Sequence, residues 1–365
     1  MKNTYLKYLL DKSCAEKLPV SGTMELTGRC NFGCKMCFIH QSSADGAVKN
    51  AEMPTEFWCD LADELQAMGT LTMLLTGGEP MIRRDFAEIY TYLKRRGFLI
   101  SVNTNLSLLT EQTLKLLSDN KPLVVNVSLY GASDETYERL CGVPQMFHRV
   151  RDNLLLLRQQ GITVKLNYTV TEENYTDRAE IYAFARENDF SIGQTSYLFP
   201  PVRSADGCGC GYLRSSPERT AQMLFACEKL RYGEQFSDYL KSRRKTDDPD
   251  DCGENRMSCR AGVSSFWVTY DGYLQVCGMM GSPRLSLQDS SFAEVWRQAQ
   301  NARGQIRMPQ ACLRCEDREF CEICAAVCSA EGSFDAPPDY ICRKAREYRR
   351  MAAAFFGGNR DEMER

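Results

Sequence analysis

The chain has 365 residues, 43% of them hydrophobic and 25% charged, with a formal net charge of −3. That length suffices for one large domain and a smaller one, the composition is that of an ordinary soluble protein, and no basic excess argues for nucleic acid. No apolar run is long enough for a membrane span, and Lys7, Asp11 and Lys12 interrupt the N-terminus before it could act as a secretion signal.

Eighteen cysteines are the main message of the composition. Without a secretion signal or a small disulfide fold, reduced thiols in a cytoplasmic protein, assigned to metal, are the expected use. The two histidines, His40 and His148, are too few for mixed Cys/His zinc sites and read as solvated or packing residues.

Residues 1–21 read as a short helix and linker. A short strand at 22–27 then runs into Cys30-x3-Cys34-x2-Cys37. Three thiols within eight residues, one glycine among them, can turn inward and hold one soft metal centre, and a four-iron cluster with three protein thiolates keeps one iron open for chemistry. A zinc knuckle is the alternative, but zinc favours paired Cys-x2-Cys hooks and no second pair lies nearby.

Strand and helix then alternate. A helix at 54–68 has Pro54 at its start and Gly69 past its end. The apolar strand 71–76 ends in Gly77-Gly78-Glu79-Pro80, where the glycines permit close backbone approach and Glu79 offers an anion. Helix 85–96, strand 98–104, helix 110–118, strand 123–129, helices 133–140 and 147–160, strand 162–170, helix 176–188 and strand 191–198 follow. Six such units without internal strand pairs imply a parallel sheet in an α/β fold. A Pro/Gly-rich loop with Cys208 and Cys210 comes next, then a helix at 217–230.

The domain boundaries expected are 1–21, 22–235, a charged linker at 236–251, a cysteine-rich domain at 252–345, and a C-terminal helix or tail at 346–365. In the fourth of these, strands around 265–270 and 273–276 flank an Asp271-Gly272 hairpin turn. Cys312-x2-Cys315-x5-Cys321-x2-Cys324 follows, with Cys328 and Cys342 trailing, and a pair of zinc ribbons would fit these spacings too.

The ordered pair of motifs resembles the radical S-adenosylmethionine (SAM) enzymes, whose signature is Cys-x3-Cys-x2-Cys after the first strand. The resemblance implies a partial (β/α)6 TIM-like barrel. It also implies that the open iron chelates SAM, whose reductive cleavage yields a 5'-deoxyadenosyl radical, and that Gly77, Gly78, Glu79 and Pro80 bind the cofactor's amino group. Asn105, Ser128 and Asn167, at the ends of the third to fifth strands, are candidates for ribose and carboxylate contacts. The family's aromatic before the third cysteine is Met36 here, so Phe38 is the candidate beside the adenine. The family's arginine is replaced by Cys141 before Gly142, leaving Arg139 as the candidate at the carboxylate. Cys141 is either a hydrogen-atom donor or a buried inert thiol; Tyr130 and Trp267 read as core or cavity wall.

The segment from Cys259 to Cys342 resembles the SPASM extension, which carries one or two auxiliary [4Fe-4S] clusters in radical enzymes acting on peptides. One cluster would use Cys259, Cys277 and Cys324 with Cys252 as a fourth ligand; the other would use Cys312, Cys315, Cys321 and Cys342, with Cys328 an alternative to Cys324. The function implied is hydrogen abstraction from a ribosomally made peptide, to form a crosslink, thioether, epimer or oxidised residue. A small-molecule radical dehydrogenase or a sulfatase-type maturase is the runner-up, and a zinc-binding adaptor the non-enzyme reading. An electron donor such as flavodoxin or ferredoxin is implied. About twenty residues before the barrel are too few for a peptide-binding fold, so either a separate leader-binding protein assists or the substrate is small.

Overall fold

The computed structural model describes residues 4–39, 41–203, 213–243, 257, 259–332 and 334–357. Cys252, Cys208, Cys210 and His40 lie outside them. The six expected strands are β1 (Ser21–Glu25), β2 (Thr72–Thr76), β3 (Leu99–Thr104), β4 (Val124–Ser128), β5 (Val164–Thr169) and β6 (Ser191–Thr195), each pairing parallel with the next. The intervening helices are α1 (Thr55–Ala67), α2 (Phe86–Arg95), α3 (Glu111–Asp119), α4 (Asp134–Cys141), α5 (Met146–Gln159) and α6 (Arg178–Glu187).

Period-two alternation decides which face each strand side chain takes. Met24, Met73, Leu75, Ile100, Val102, Val125, Val127 and Leu166 are buried in the main core with the helices. Burial of each such side chain contributes about 1.5–3 kcal/mol. The opposite face is polar and runs across the strands in register: Asn103 faces Asn126, Asn126 faces Lys165, and Ser128 faces Asn167. That polar face is the lining a radical SAM barrel would present to cofactor and substrate.

The cysteine-rich end is not set apart from this sheet. β7 (Ser265–Val268) pairs parallel with β1 from Ser21↔Ser265 onward, and β8 (Tyr273–Gln275) and β9 (Leu285–Ser286) add antiparallel strands outside it. Among the described residues the sheet therefore has nine strands in the order β9-β8-β7-β1-β2-β3-β4-β5-β6. The expected Asp271-Gly272 turn is present, with Gly272 at φ +81°.

Residues 236–243, assigned to a linker by their charge, are helical: α7 (Pro217–Tyr232) is followed by α8 (Phe236–Arg243). Phe236 and Leu240 are buried there against Tyr348, so an i, i+4 apolar pair outweighs the surrounding charges. α9 (Phe292–Gln305) and α10 (Ala325–Ala330) precede α11 (Asp339–Phe355), which runs across the expected 345/346 boundary.

Candidate active site

The three-thiol loop leaves the end of β1 and is held from three sides. Its base is fixed by Arg29, whose Nε and Nη2 donate to Glu52 at 2.7 and 2.9 Å. On a second side, Asn31 Nδ2 donates to Ser107 Oγ at 2.8 Å, and Asn105 Nδ2 donates to Asn31 Oδ1 at 3.0 Å. The third anchor is the end of α4. Ser133 caps its start and Gly142, at φ +70°, ends it, leaving the last carbonyls without helical partners. The loop supplies those partners: Lys35 N donates to Leu140 O at 3.0 Å and Gly33 N to Cys141 O at 2.9 Å.

The thiols are electrostatically coupled. Burial is the first cause that holds the Cys30 proton on, and Glu79, Cys34 and Cys37 add to it. Cys34 is held protonated first by its hydrogen bond with the Cys141 thiol and then by burial, while the Tyr130 hydroxyl opposes this. Phe32 N and Asn105 Nδ2 reach Cys30 Sγ at 3.4 and 3.6 Å. Three crowded buried thiols with N–H groups aimed at sulfur are a donor set that iron would neutralise and that such hydrogen bonds would tune. The residues fit an iron-sulfur cluster.

The Gly77-Gly78-Glu79-Pro80 turn packs on this loop. Gly78 N donates to Thr27 O at 2.8 Å and Glu79 N to Arg29 O at 2.9 Å. A Cβ on Gly78 would lie 2.4 Å from Arg29 O, and one on Gly77 would lie 2.5 Å from Thr27 O. The close approach that the glycines permit is thus to the cysteine loop itself. Glu79 is fully buried and accepts from Thr104 Oγ1 at 2.9 Å, Asn105 N at 2.7 Å and Met81 N at 3.0 Å. Burial nevertheless pushes its carboxyl up to about 7.

Of the other cofactor candidates, Asn105 is in the loop network, and Ser128 and Asn167 stand side by side on the polar face, Ser128 bonded to Tyr130. Phe38 is half-buried, its carbonyl accepting from Val202 N at 2.8 Å. Arg139 is engaged elsewhere, its Nε ion-paired with Glu173 at 2.7 Å and its Nη2 donating to Glu173 O at 2.7 Å. Asn31 and Ser107 escaped sequence reasoning because only the folded loop brings them together.

At the other end of the chain, Cys312, Cys315, Cys321 and Cys342 line one cavity of about 160 Å³, beside Asp317 and Arg318. Burial, opposed first by the Ile323 backbone N–H and then by the charge of Arg318, leaves Cys321 pushed up to about 12. Cys277, up to about 11 chiefly through burial, feels Cys259 and Cys324, so these three gather as a second group. Cys328 is fully buried in α10 with Tyr197, Val327 and Ile341, behind the cavity wall, whose Cys312 and Cys321 pack against the same cluster.

The Radical SAM superfamily profile matches residues 24–185, which span β1 to α6 and include the thiol loop and the glycine turn. This chain carries a radical SAM domain. It is an enzyme of that superfamily, and the domain implies an iron-sulfur cluster and SAM. The chain is 25% identical over 320 residues to the AdoMet-dependent heme synthase of Oleidesulfovibrio alaskensis, covering 83% of this chain and 81% of that one. It is 26% identical over 316 residues to the PqqA peptide cyclase of Gluconobacter oxydans, covering 82% and 84%. Among solved structures, anSMEcpe with bound AdoMet and the Cp18Cys peptide shares its fold, with a TM-score of 0.71 and 20% identity, covering 93% of this radical SAM chain and 98% of that one. Among the described residues, no helix is long and apolar enough to cross a membrane.

Proposed function

We propose that this radical SAM enzyme modifies a peptide and carries two auxiliary iron-sulfur clusters in a SPASM-type C-terminal region. The observation that carries the reading is the cavity of about 160 Å³ walled by Cys312, Cys315, Cys321 and Cys342. Zinc draws its thiolates to about 2.3 Å from one point, whereas a four-iron cluster needs room between its thiols. Thiols standing around a space suit a polynuclear cluster. Cys259, Cys277 and Cys324 would hold the other auxiliary cluster; the fourth candidate, Cys252, lies outside the described residues.

When bound, the cluster at Cys30, Cys34 and Cys37 supplies one electron and SAM the carbon-centred radical that removes a hydrogen from substrate. The chain's own part is positioning. Asn31, Asn105 and Ser107 fix the thiol loop against β3, and the α4 carbonyls fix it against the barrel wall. Ser128 and Asn167 would orient the cofactor's polar groups from adjacent strands, and Phe38 would cover the adenine. Glu79 fixes from within the turn that would meet the cofactor's amino group. A cytoplasmic setting with a flavodoxin or ferredoxin as electron donor is the consistent context, and among the described residues no two cysteines are joined in a disulfide.

The peptide reading draws support from the PqqA peptide cyclase relative and the peptide held by anSMEcpe. A tetrapyrrole is the second reading, favoured by the heme synthase relative. The test is iron, sulfide and product after anaerobic reconstitution. About twelve irons per chain are expected, falling to about eight with loss of 5'-deoxyadenosine in a variant with Cys30, Cys34 and Cys37 changed to Ala; about four irons in the wild type overturns the auxiliary clusters. Hydrogen transfer from a synthetic peptide library into 5'-deoxyadenosine supports the peptide reading, and transfer only from a carboxylated porphyrin replaces it with the second.

A further inference from the structure

The segment 199–203, which follows β6, bonds to residues that flank both thiol groups. Val202 N donates to the carbonyl of Phe38, next to Cys37, at 2.8 Å, and Gln41 Nε2 donates to the carbonyl of Arg203 at 3.0 Å. The Arg203 side chain then crosses to β1. Its Nε and Nη2 donate to the two carboxylate oxygens of Glu25, each at 3.1 Å, and Nη2 also reaches the carbonyl of Gly278, the residue after Cys277, at 3.2 Å. Glu25 takes a further bond from Trp267 Nε1 at 2.9 Å. The Trp267 ring lies flush on Gly278, where an added Cβ would fall 2.3 Å from it.

This ion pair is sealed: the Arg203 side chain is 5% exposed and that of Glu25 0%. Its arrangement leaves one donor over. Arg203 Nη1 is buried and has no hydrogen-bond partner among the described residues. A guanidinium presents five donors and no acceptor, and a buried donor left without a partner is costly. Glu25 and the Gly278 carbonyl take Nε and Nη2, and the Arg203 charge reaches the Cys277 thiol, so the Cys277–Gly278 corner lies beside the guanidinium. A cluster held at Cys277 would bring sulfur bearing negative charge to this corner. Charge-assisted bonds to sulfur are a means by which a protein sets the potential of an iron-sulfur centre.

We propose that Arg203 is a positioning residue for the auxiliary cluster held by Cys259, Cys277 and Cys324, donating from Nη1 to one of its sulfurs, with Glu25 fixing the guanidinium and offsetting its charge. The inference rests on the auxiliary-cluster reading of the previous subsection. It ties the cluster to the catalytic loop mechanically, since the backbone that carries Arg203 is bonded to Phe38 and Gln41. It also predicts opposite electrostatic effects for the two partners. Loss of the cation disfavours the more negative, reduced cluster, and loss of the carboxylate favours it.

The experiment is an EPR-monitored potentiometric titration at pH 8 of the anaerobically reconstituted full chain, in the background where Cys30, Cys34 and Cys37 are Ala so that only auxiliary signals remain. Arg203→Met should move one auxiliary midpoint to more negative potential, Glu25→Gln should move the same midpoint to more positive potential, and Arg203→Lys should fall between Arg203→Met and the parent. Unmoved midpoints, or shifts of the same sign in Arg203→Met and Glu25→Gln, overturn the proposal and leave the pair a packing feature. If Arg203→Met does not fold, the sign of the Glu25→Gln shift decides. Iron content is read first on the parent: about eight irons keep the auxiliary-cluster reading, and their absence overturns that reading and this inference with it.

Discussion

Gly33 N donates to the carbonyl of Cys141 at 2.9 Å, so the loop with the three thiols hangs from the C-terminus of α4. The bond uses the backbone of residue 141, while its thiol bonds the Cys34 thiol, which iron would take over. Cys141→Ala should therefore keep the iron bound by Cys30, Cys34 and Cys37 and keep SAM cleavage, while costing about 1–2 kcal/mol for the lost buried sulfur. Iron assay, 5'-deoxyadenosine formation and denaturant unfolding check this. Abolished product with intact SAM cleavage would instead make Cys141 a hydrogen-atom donor.

Gly78 has no room for a side chain because the carbonyl of Arg29 stands 2.4 Å from where a Cβ would be. The neighbour is backbone and cannot swing away, so Gly78→Ala should displace the turn, costing about 2–4 kcal/mol and weakening SAM binding by at least tenfold. Equilibrium dialysis against labelled SAM and thermal unfolding measure the two effects. Unchanged affinity would show that the turn's position is not what SAM reads.

Cys324 and Cys328 sit one helical turn apart but in different surroundings. Cys324 lies at the start of α10 within reach of Cys259 and Cys277, and Cys328 is fully buried behind the other group, with Tyr197, Val327 and Ile341 around it and Cys312 and Cys321 against the same cluster. Cys324→Ala should lower the iron content by about four per chain, and Cys328→Ala should leave it unchanged at a cost of about 1–2 kcal/mol. Iron determination on the two variants separates them.

Glu228 on α7 provides a pH test away from the thiol loop. Burial raises its carboxyl above the ordinary 4.5, more than Arg243, Tyr239 and Tyr348 lower it, with Glu322 adding to the rise. The folded chain thus holds this proton more tightly than the unfolded one. The associated stabilisation is fully present below pH 4.5 and is lost as pH rises through the raised folded value. Glu228→Gln should flatten the fall in stability over that window by an amount on the order of 1 kcal/mol. Urea midpoints of both proteins at pH 4.5 and pH 7.5 give the comparison; identical slopes would refute it.

How much could be read before folding follows from where each constraint acts. The strands β1 to β6 and their helices were legible because apolar spacing and end residues such as Gly69, Gly142 and Pro217 act within a few residues of chain. The three-thiol loop and the Gly-Gly-Glu-Pro turn were legible for the same reason, and the Asp271-Gly272 turn too. Residues 236–243 were misplaced because their charges are plain in sequence, whereas the burial of Phe236 and Leu240 depends on Tyr348 far along the chain.

By itself, the sequence determined which residues can bear the chemistry: thiols at fixed offsets, polar residues such as Ser128 and Asn167 near the strand ends, and a turn built on two glycines. Tertiary structure alone decided which of these meet. It laid β7 beside β1, hung the thiol loop on α4, turned Cys328 into the core and Cys342 onto the cavity with Cys312, and sealed Arg203 against Glu25. The physical reason is that periodicity fixes the face a side chain takes, whereas its neighbour across that face is chosen by packing and hydrogen-bond satisfaction summed over the whole fold.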